Sequence, residues 1–373
     1  MTIRELVRSL DWVLLGAALL LVLLSLAMLF SSSQSSTLAT SRFTRQALAL
    51  VIALGAGLFA ARTPYHALKT YTAVIYGAGL AGLAAVFFAG QVVRGTVSRL
   101  ELFGFQMQPA ELMTVALVIS LAALLSASRG PGWRRLLLSM ALTAVPVGLI
   151  MSEPDLGVAA LLLAVWVGML IFGGLGSGWV FGLAGLGAVG GVIAWQWLLL
   201  PYQKDRLAVF LDPTRDPLGA GYNIVQSIVA LGSGRLIGRG LGHGPQSQLQ
   251  FLPERHTDFI LASVGEELGF IGIVLVLLLY GVVLWRMLRI AQTTQDTFGR
   301  MLVAGVLILM AVSLFVGAGM NMGILPVTGL PVPLLSYGGS NLLTTFVLIG
   351  IVQSVYVYSK WVQAPPTEIS HLT

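Results

Sequence analysis

The stretch LGVAALLLAVWVGMLIFGGLGSGWVFGLAGLGAVGGVIAWQWLLLPYQ, from Leu156 to Gln203, decides the fold because it carries no charge over 48 residues. A helix crosses the hydrocarbon core of a bilayer with about 20 apolar residues, so this stretch is long enough for two crossings. We divide it at the glycine-rich segment Gly173–Gly178. Backbone groups without a partner are costly in lipid, so both spans are expected to be helical.

The rest of the chain has the same apolar character. Hydrophobic residues make up 57% of it, charged residues 10%, and the mean hydropathy is +0.89. Soluble domains carry about 25% charged residues, so the sequence predicts an all-α integral membrane protein with about ten transmembrane helices. The first span is too long for a signal peptide and is expected to be retained. The expected spans are residues 11–30, 46–61, 71–93, 110–128, 135–151, 155–173, 179–200, 259–286, 301–322 and 340–360.

The distribution of Lys and Arg predicts which side of the membrane each connection faces. With a cytoplasmic N-terminus, eleven of these residues lie on inner segments and four on short outer segments. Cytoplasmic connections carry the excess of positive charge, so both termini are expected in the cytoplasm. The long segment between the seventh and eighth spans is then outside, on the side where most carboxylates cluster.

The segment 200–259 is the only long polar part of the chain, and it holds six basic and five acidic residues. We interpret residues 1–373 as one polytopic membrane domain with an extracytoplasmic catalytic loop at 200–259. A Pro/Gly-rich outer loop at 323–340 and a short cytoplasmic tail at 361–373 complete it. Non-helical backbone at membrane depth is tolerated only against protein or a cavity, so the loop 323–340 is expected to lie beside a cavity near the long loop.

Composition and spacing exclude several function classes. The chain has no cysteine, so it has no thiolate nucleophile, thiolate metal site or disulfide. Its four histidines lack the spacing of a zinc site. The glycines between Gly232 and Gly244 follow no predicted strand, unlike nucleotide-binding fingerprints, and predict a flexible loop. The net charge of +6 comes mostly from basic residues that flank apolar spans, which indicates lipid headgroups and not nucleic acid.

Several carboxylates at the membrane boundary have both a structural and a functional interpretation. Asp258 is either an N-cap of the eighth span or an acid whose basicity its charged neighbours tune. Glu111 is either an ordinary first-turn acid of the fourth span or a group that faces the bundle interior. For Asp155 the N-cap interpretation is favoured. Glu266 and Glu267 are adjacent, so at least one is expected to face into the bundle and find a partner.

Six motifs occur in order along the chain. They are Gln108–Glu111, Glu153–Gly157, Phe210–Tyr222, Gln246–Phe259, Gly265–Gly269 and Pro326–Ser340. Together they resemble the SEDS family (shape, elongation, division and sporulation), and the resemblance covers essentially the whole chain. The last motif is more similar to the elongation branch, RodA, than to the division branch, FtsW.

The resemblance implies a ten-helix peptidoglycan glycosyltransferase of the bacterial cytoplasmic membrane. Such an enzyme polymerises lipid II into glycan strands during cell elongation and releases undecaprenyl diphosphate. The resemblance also implies a class B penicillin-binding protein as transpeptidase partner, no organic cofactor, and catalytic roles for Asp258 and Glu111. Thr114 departs from the family, which commonly has a lysine at this position.

Glycosyl transfer needs a base for the attacking hydroxyl and a cation for the leaving diphosphate. We assign Asp258 as the base, or else as a ligand for a divalent cation such as Mg²⁺ or Mn²⁺. Six further side chains are assigned to the substrate. The three cations among them are candidates for its diphosphate, and at least one of the three is expected to be an ordinary solvated charge. The six side chains are Arg206, Lys204, Arg255, His256, Gln250 and Ser336.

Two other function classes use the same residues. A lipid II flippase or transporter would use the same cavity and basic residues without forming a bond. The carboxylates on one side argue against it, because a transporter needs recognition groups reachable from both sides. A non-catalytic scaffold for a cell-wall synthase would use the charges as an interface, and cells would then tolerate Asp258→Ala.

Overall fold

The computed structural model describes residues 2–33, 37–93, 96–102, 105–127, 132–153, 155–217, 219–249 and 251–363. The described chain is helical apart from one small sheet and the connecting turns. A π-helical turn follows α9 and a 3₁₀ turn follows α10. The helices are α1 (Ile3–Ser9), α2 (Trp12–Ser33), α3 (Thr37–Arg62), α4 (Tyr65–Thr70), α5 (Thr72–Ala89), α6 (Pro109–Leu125), α7 (Trp133–Ser152), α8 (Leu156–Phe172), α9 (Ser177–Ile193), α10 (Pro201–Leu211), α11 (Ala220–Ser233), α12 (Pro245–Gln248), α13 (Ile260–Thr293), α14 (Thr297–Asn321) and α15 (Gly339–Gln363).

The ten predicted spans coincide with α2, α3, α5 to α9 and α13 to α15. In the described part of the chain, seven helices are long and apolar enough to cross a membrane. The helices α5, α6 and α8 are also apolar but slightly shorter. The prediction of an all-α membrane protein with many spans is therefore confirmed. Helix α15 extends to Gln363, three residues into the segment assigned to the tail, and residues 364–373 lie outside the described residues.

A three-stranded antiparallel sheet, which the sequence analysis did not predict, joins α5 to α6. Its strands are β1 (Gln91–Val93), β2 (Thr96–Leu102) and β3 (Phe105–Met107). The third span ends at Ala89, before its predicted limit of 93, because the chain turns there into β1. Valine and threonine in β1 and β2 favour the extended backbone. The sheet leads directly into Gln108 and the start of α6.

Helices α3 and α15 pack closely against each other at two glycines. A Cβ atom on Gly57 would lie 2.8 Å from the carbonyl oxygen of Phe346, and one on Gly350 would collide with the carbonyl of Gly57. Lipid tails supply no hydrophobic driving force between helices, so close packing at small residues stabilises such pairs. The contact fixes α3, whose first turns line the site described below, against the helix that follows the loop 323–340.

The end of the bundle away from the long loop is tied together by Asp11. This residue is 2% exposed and forms an ion pair with Arg286, with 2.9 Å between Nε and Oδ2. The buried amide of Gln353 accepts a hydrogen bond from the backbone nitrogen of Asp11 (2.8 Å) and donates to its carbonyl oxygen (3.0 Å). These bonds join α2 to α13 and α15, since a buried charge or amide is stable only when it is paired.

Helix α13 is interrupted at Gly269, whose φ of 68° is strained for residues other than glycine. In a continuous helix, Phe270 and Ile271 would donate their N–H groups to carbonyls four residues earlier. Here they donate instead to the carbonyls of Arg235 and Leu236, at 2.9 and 3.1 Å. The segment before α12 therefore provides two carbonyl acceptors that α13 itself would otherwise provide.

The carbonyl groups that the interruption releases are also satisfied. The backbone N–H groups of Arg239 and Gly240 donate to the carbonyls of Glu266 and Glu267, at 3.0 and 2.9 Å. The prediction of a flexible loop between residues 232 and 244 is therefore wrong. Gly234 and Gly238 serve close approach between two backbones, because a Cβ atom on either would collide with backbone atoms of α13.

Candidate active site

A cavity of about 480 Å³ lies at the end of the bundle that carries the long loop. Its walls come from α3, β3, the start of α6, the last residues of the segment 200–259 and the loop 323–340. Asp258 and Glu111, the two catalytic candidates, both line it, together with Glu254 and His256. The loop 323–340 does lie against a cavity beside the long loop, as the sequence predicts.

Asp258 precedes α13, but it is not the N-cap of that helix. The helix begins at Ile260, its N-cap is Phe259, and no N-cap side chain bonds the first turn. The acceptor for the first turn comes from another helix, since Asn321 Oδ1 lies 2.9 Å from the backbone nitrogen of Ala262. The N-cap interpretation of Asp258 is therefore wrong, and its carboxylate lies in the cavity wall.

Glu111 lies in the first turn of α6 and lines the cavity. Thr114, at the position where the family commonly has a lysine, is buried and donates its hydroxyl to the carbonyl of Glu111 at 2.6 Å. The hydroxyl is thus used within the helix and brings no charge to the site. Gln108, just before α6, donates its backbone N–H to Ser340 Oγ (3.2 Å), which joins this wall to α15.

His256 is 6% exposed and contributes to the cavity wall. Arg255 Nε donates to His256 Nε2 at 3.2 Å, so the other ring nitrogen of a neutral imidazole carries the proton. Burial, followed by the charges of Arg255 and Arg42, lowers the pKa of His256 to about 3. The ring is therefore neutral at physiological pH.

A buried acidic corner lies behind the cavity wall. Asp155 is the N-cap of α8, as predicted, and accepts from the backbone nitrogen of Val158 at 3.1 Å. It also accepts from Gln108 Nε2 at 3.3 Å. Burial raises the pKa of Asp155, while these hydrogen bonds and the charge of Arg206 oppose the rise. Arg206 therefore acts on this corner, which meets the cavity wall at Gln108.

Glu153 lies in the same corner and is 2% exposed. Neither of its carboxylate oxygens has a hydrogen-bond partner among the residues that the structure describes. Burial, followed by repulsion from Asp155, raises the pKa of Glu153 to about 7. The group therefore titrates close to physiological pH.

Glu266 and Glu267 are both buried, and both find partners in the long loop or in α2. Glu266 accepts from the backbone nitrogens of Gln246 (2.8 Å) and Ser247 (2.9 Å) and from the Ser247 hydroxyl (2.5 Å). Glu267 accepts from the Ser31 hydroxyl at 2.7 Å. The prediction that at least one of them finds a partner is confirmed, and their role is to hold the loop on α13.

Two cations that share the cavity with these carboxylates were missed by the sequence analysis, which treated Arg42 and Arg45 only as outer charges. Both line the cavity from the first turns of α3, together with Gln46. The spacing of three and four residues places these side chains on one face of the helix. That spacing just before an apolar run was the available signal, but it is shared by many helices that flank a membrane.

Gln46 is 1% exposed and lines the cavity. Its Oε1 accepts from the backbone nitrogen of Gly338 at 3.2 Å, and a backbone N–H only donates, so the amide orientation is settled. Its Nε2 has no hydrogen-bond partner within the described part of the chain. A buried donor without a partner is costly, which indicates that a bound molecule completes it.

Of the six substrate-binding candidates, His256 alone lies among the described residues of the cavity wall. Lys204 lies 5.9 Å from the ring centre of Trp195, Arg206 is exposed near Asp155, and Arg255 is buried. Ser336 is buried, with hydrogen bonds to Val332 and Thr257. Gln250 lies outside the described residues. The roles assigned to these side chains stay predictions.

The described residues contain no group of three or more His, Cys, Asp or Glu side chains placed to hold a metal ion. Asp258 nevertheless offers one carboxylate in the cavity wall. Proteins commonly bind Mg²⁺ through one or two carboxylates together with water and the phosphates of a substrate. The donor set fits a cation that arrives with a diphosphate, and the requirement for it stays a prediction.

The chain is similar in sequence to a family of cell cycle proteins and to peptidoglycan glycosyltransferases. The family of cell cycle proteins that comprises FtsW, RodA and SpoVE matches residues 10–361. The chain is 37% identical to the peptidoglycan glycosyltransferase MrdB of Escherichia coli (strain K12), over 91% of each chain. It is 35% identical to the probable peptidoglycan glycosyltransferase FtsW of Methylococcus capsulatus, over 92% of this chain and 89% of that one.

Solved structures agree with the sequence comparison. A chain from a structure described as the coordination of polymerization and crosslinking by a peptidoglycan synthase complex has a TM-score of 0.81 and 30% identity. The match covers 94% of this chain and 98% of that one. The rod shape determining protein RodA of Thermus thermophilus has a TM-score of 0.70 and 28% identity, over 93% and 96%.

The fold and the cavity define a polytopic membrane protein with paired carboxylates and guanidinium groups at one end of its helix bundle. This chain belongs to the FtsW, RodA and SpoVE family. The resemblance drawn from the six motifs is therefore confirmed.

Proposed function

We propose that this protein is a peptidoglycan glycosyltransferase that polymerises lipid II at the outer face of the cytoplasmic membrane during cell elongation. The observation that carries the proposal is the one cavity shared by Asp258, Glu111, Arg42 and Arg45. A base and a cation site are what transfer from a sugar diphosphate requires. The curated relatives, named peptidoglycan glycosyltransferases, support the same reaction class.

One face of α3 matches the shape of the proposed substrate. Arg42 and Arg45 stand at its start, and the exposed side chains of Leu48 and Ile52 line the cavity further along. A lipid-linked sugar diphosphate has the same order, with an anionic headgroup and an apolar tail. The face therefore fits undecaprenyl diphosphate, both as part of lipid II and as the product that leaves.

In the proposed step, a hydroxyl oxygen of the acceptor sugar attacks the anomeric carbon of the donor. The bond between that carbon and the diphosphate oxygen breaks, and the oxygen keeps the electron pair. The hydroxyl proton moves to the carboxylate of Asp258, which acts as general base. The guanidinium groups of Arg42 and Arg45 stabilise the negative charge on the diphosphate.

The other polar residues of the wall orient the sugars. Glu111 accepts hydrogen bonds from sugar hydroxyls or shares the proton with Asp258. Neutral His256 contributes no charge, and the Gln46 amide donates one hydrogen bond. A divalent cation, Mg²⁺ or Mn²⁺, would be held by Asp258 and the diphosphate, where it would add Lewis-acid stabilisation of the leaving group.

The family and the charge distribution support a proposed location and a proposed partner. Both termini are placed in the cytoplasm of the bacterium because the Lys and Arg distribution favours it. A class B penicillin-binding protein is proposed as the transpeptidase partner, because a structural relative belongs to a synthase complex that polymerises and crosslinks. No nucleic acid or organic cofactor takes part.

Polymerisation of purified lipid II tests the proposal, with full-length protein assayed alone and together with its partner. Asp258→Asn should lower turnover by at least about 100-fold, the usual minimum effect of a general base, without unfolding the protein. Asp212→Asn is the matched control, since this half-exposed carboxylate of the same loop bonds only neighbouring residues of the described chain. It should keep wild-type turnover.

Two outcomes would overturn parts of the proposal. Lipid II that binds to wild type but is never polymerised, with or without the partner, would favour a flippase or a scaffold. Full turnover by Asp258→Asn would keep the enzyme but move the base to Glu111.

A further inference from the structure

We propose that Asn321 is a positioning residue for this reaction. Its amide holds the backbone of Asp258 and the first turn of α13, so that the Asp258 carboxylate is presented to the cavity. Asn321 is the last residue of α14, is fully buried and is not among the cavity-lining residues. The inference rests on the proposed function because it takes Asp258 as the catalytic base.

The amide of Asn321 bridges two helices through three hydrogen bonds. Its Nδ2 donates to the carbonyl oxygens of Asp258 (2.8 Å) and Gly317 (2.7 Å). Its Oδ1 accepts from the backbone nitrogen of Ala262 (2.9 Å). Carbonyls only accept and a backbone N–H only donates, so the three partners settle the orientation of the amide.

The start of α13 needs this bridge. The first four N–H groups of a helix have no partner within it, and a Ser, Thr, Asp or Asn at the N-cap usually supplies one. The N-cap of α13 is Phe259, whose ring has no acceptor for that bond. Asn321 supplies that acceptor from α14, through its bond to the backbone nitrogen of Ala262.

The same backbone is held at two further points by the loop 323–340. The carbonyl of Thr257 accepts from Ser336 Oγ at 2.7 Å, and that of His256 accepts from the backbone nitrogen of Tyr337 at 2.8 Å. With Asn321, three consecutive carbonyls are each bonded to a group from residues 321–337. Ser336 therefore acts beside Asn321 by holding the backbone that precedes α13.

The test measures lipid II polymerisation by full-length variants and separates kcat from KM. Asn321→Leu removes all three bonds, and Asn321→Asp keeps the acceptor for Ala262 but turns an oxygen toward two carbonyls. Both should lower kcat by about 100-fold, the usual effect of a displacement near 1 Å, with KM within about 2-fold of wild type. Ser336→Ala should lower kcat by a smaller factor.

Gln353→Leu is the matched control, because this buried amide also bridges a backbone N–H and a carbonyl, at the other end of the bundle. It should destabilise the protein and keep kcat. Wild-type kcat in folded Asn321→Leu and Asn321→Asp would overturn the proposal. A raised KM with unchanged kcat would also overturn it, because it would place Asn321 on the substrate.

Hydrogen exchange gives a readout that needs neither activity nor the proposed function. In Asn321→Leu the amides of residues 258–264 should exchange at least about 10-fold faster, while the α3 peptides keep their protection. If wild type fails to polymerise lipid II, the proposed function fails, and unchanged exchange in this segment separately overturns the bridge. If Asn321→Leu does not fold, Asn321→Asp and Ser336→Ala decide both readouts.

Discussion

Arg255 Nε donates to His256 Nε2 across 3.2 Å, so the imidazole in the cavity wall serves as an acceptor and not as a cation. Burial is the main reason that the pKa of His256 falls to about 3, and the charge of Arg255 adds to it. An imidazolium contact with the diphosphate is therefore not expected. In the proposed function, the electrostatic part of diphosphate binding is assigned to Arg42 and Arg45.

The first prediction is that His256 stays neutral between pH 5 and 8. Nitrogen NMR of ¹⁵N-histidine-labelled protein checks it, with His256→Gln identifying the signal among the four histidines. The unfolded side chain has a pKa of about 6.5, so the unfolded state takes up a proton that the native state excludes as pH falls. Stability is thus lost from about pH 6.5 toward 3, by about 2 kcal/mol at pH 5.

Thermal unfolding of the same variant checks the sign of this effect. His256→Gln should lose less stability than wild type when the pH is lowered from 7 to 5. A His256 signal that titrates near pH 6.5, or parallel stability curves for the two proteins, would contradict the assignment.

The second prediction concerns Glu153, whose pKa is raised from 4.5 to about 7 by burial and by Asp155. For a raised pKa the stabilising contribution is fully present below pH 4.5 and is lost as pH rises through 7. Glu153 should therefore lower the melting temperature of wild type as pH rises from 4.5 to 7, and Glu153→Gln should abolish most of that fall. The exposed carboxylate Glu101 provides the control, since Glu101→Gln should leave the wild-type slope. Identical slopes in all three proteins would show that Glu153 is ionised throughout.

The third prediction concerns Gln46, whose Nε2 has no partner among the described residues although the side chain is buried in the cavity wall. Gln46→Glu keeps an acceptor for Gly338 but loses the donor that we assign to the substrate. A hydrogen bond to a neutral sugar group is worth about 0.5–1.5 kcal/mol, so KM for lipid II should rise by about 2- to 10-fold. Gln353→Glu, the same change at the other end of the bundle, should not alter KM. An unchanged KM in Gln46→Glu would remove Gln46 from the substrate site.

The fourth prediction concerns Glu266, which accepts three hydrogen bonds from Gln246 and Ser247. Glu266→Ala leaves those donors buried, at a cost of about 1–3 kcal/mol for each one that water cannot reach. The segment before α12 should then open, and trypsin should cleave after Arg239 at least about 10-fold faster. Asp296→Ala removes the N-cap of α14 at the other end of the bundle and should leave that cleavage rate unchanged. Equal cleavage of wild type and Glu266→Ala would mean that the carboxylate does not hold the segment.

Local pattern was enough for the spans, because each lipid-crossing helix must satisfy its own backbone and shows this as an apolar run. It failed where two distant segments form backbone hydrogen bonds with each other. The turns around Arg239 take over hydrogen bonds that the interruption at Gly269 releases, and no periodicity within either segment reports this. The sheet between α5 and α6 was missed because its strands are short and lie beside long apolar runs.

The site shows the same division. Asp258 and Glu111 were found because each is a carboxylate at the edge of an apolar run within a recognisable motif. Arg42, Arg45 and Gln46 were not, because a basic flank before a span has the same sequence whether it faces headgroups or a cavity. Lys204 and Arg206 lie in the same polar loop as Asp258. Neither of them is among the described residues that line the cavity with it.

The sequence by itself determined the class of protein, the ten apolar spans and the family, and it singled out the two carboxylates that line the cavity, because hydrophobicity and motif identity are properties of short segments. Only the tertiary structure decided which cations share that cavity and what holds the Asp258 backbone in place. Those depend on contacts such as that of Asn321 with Asp258, made across 63 positions of sequence. A hydrogen bond between two helices is fixed by how the helices pack, and neither helix encodes it alone.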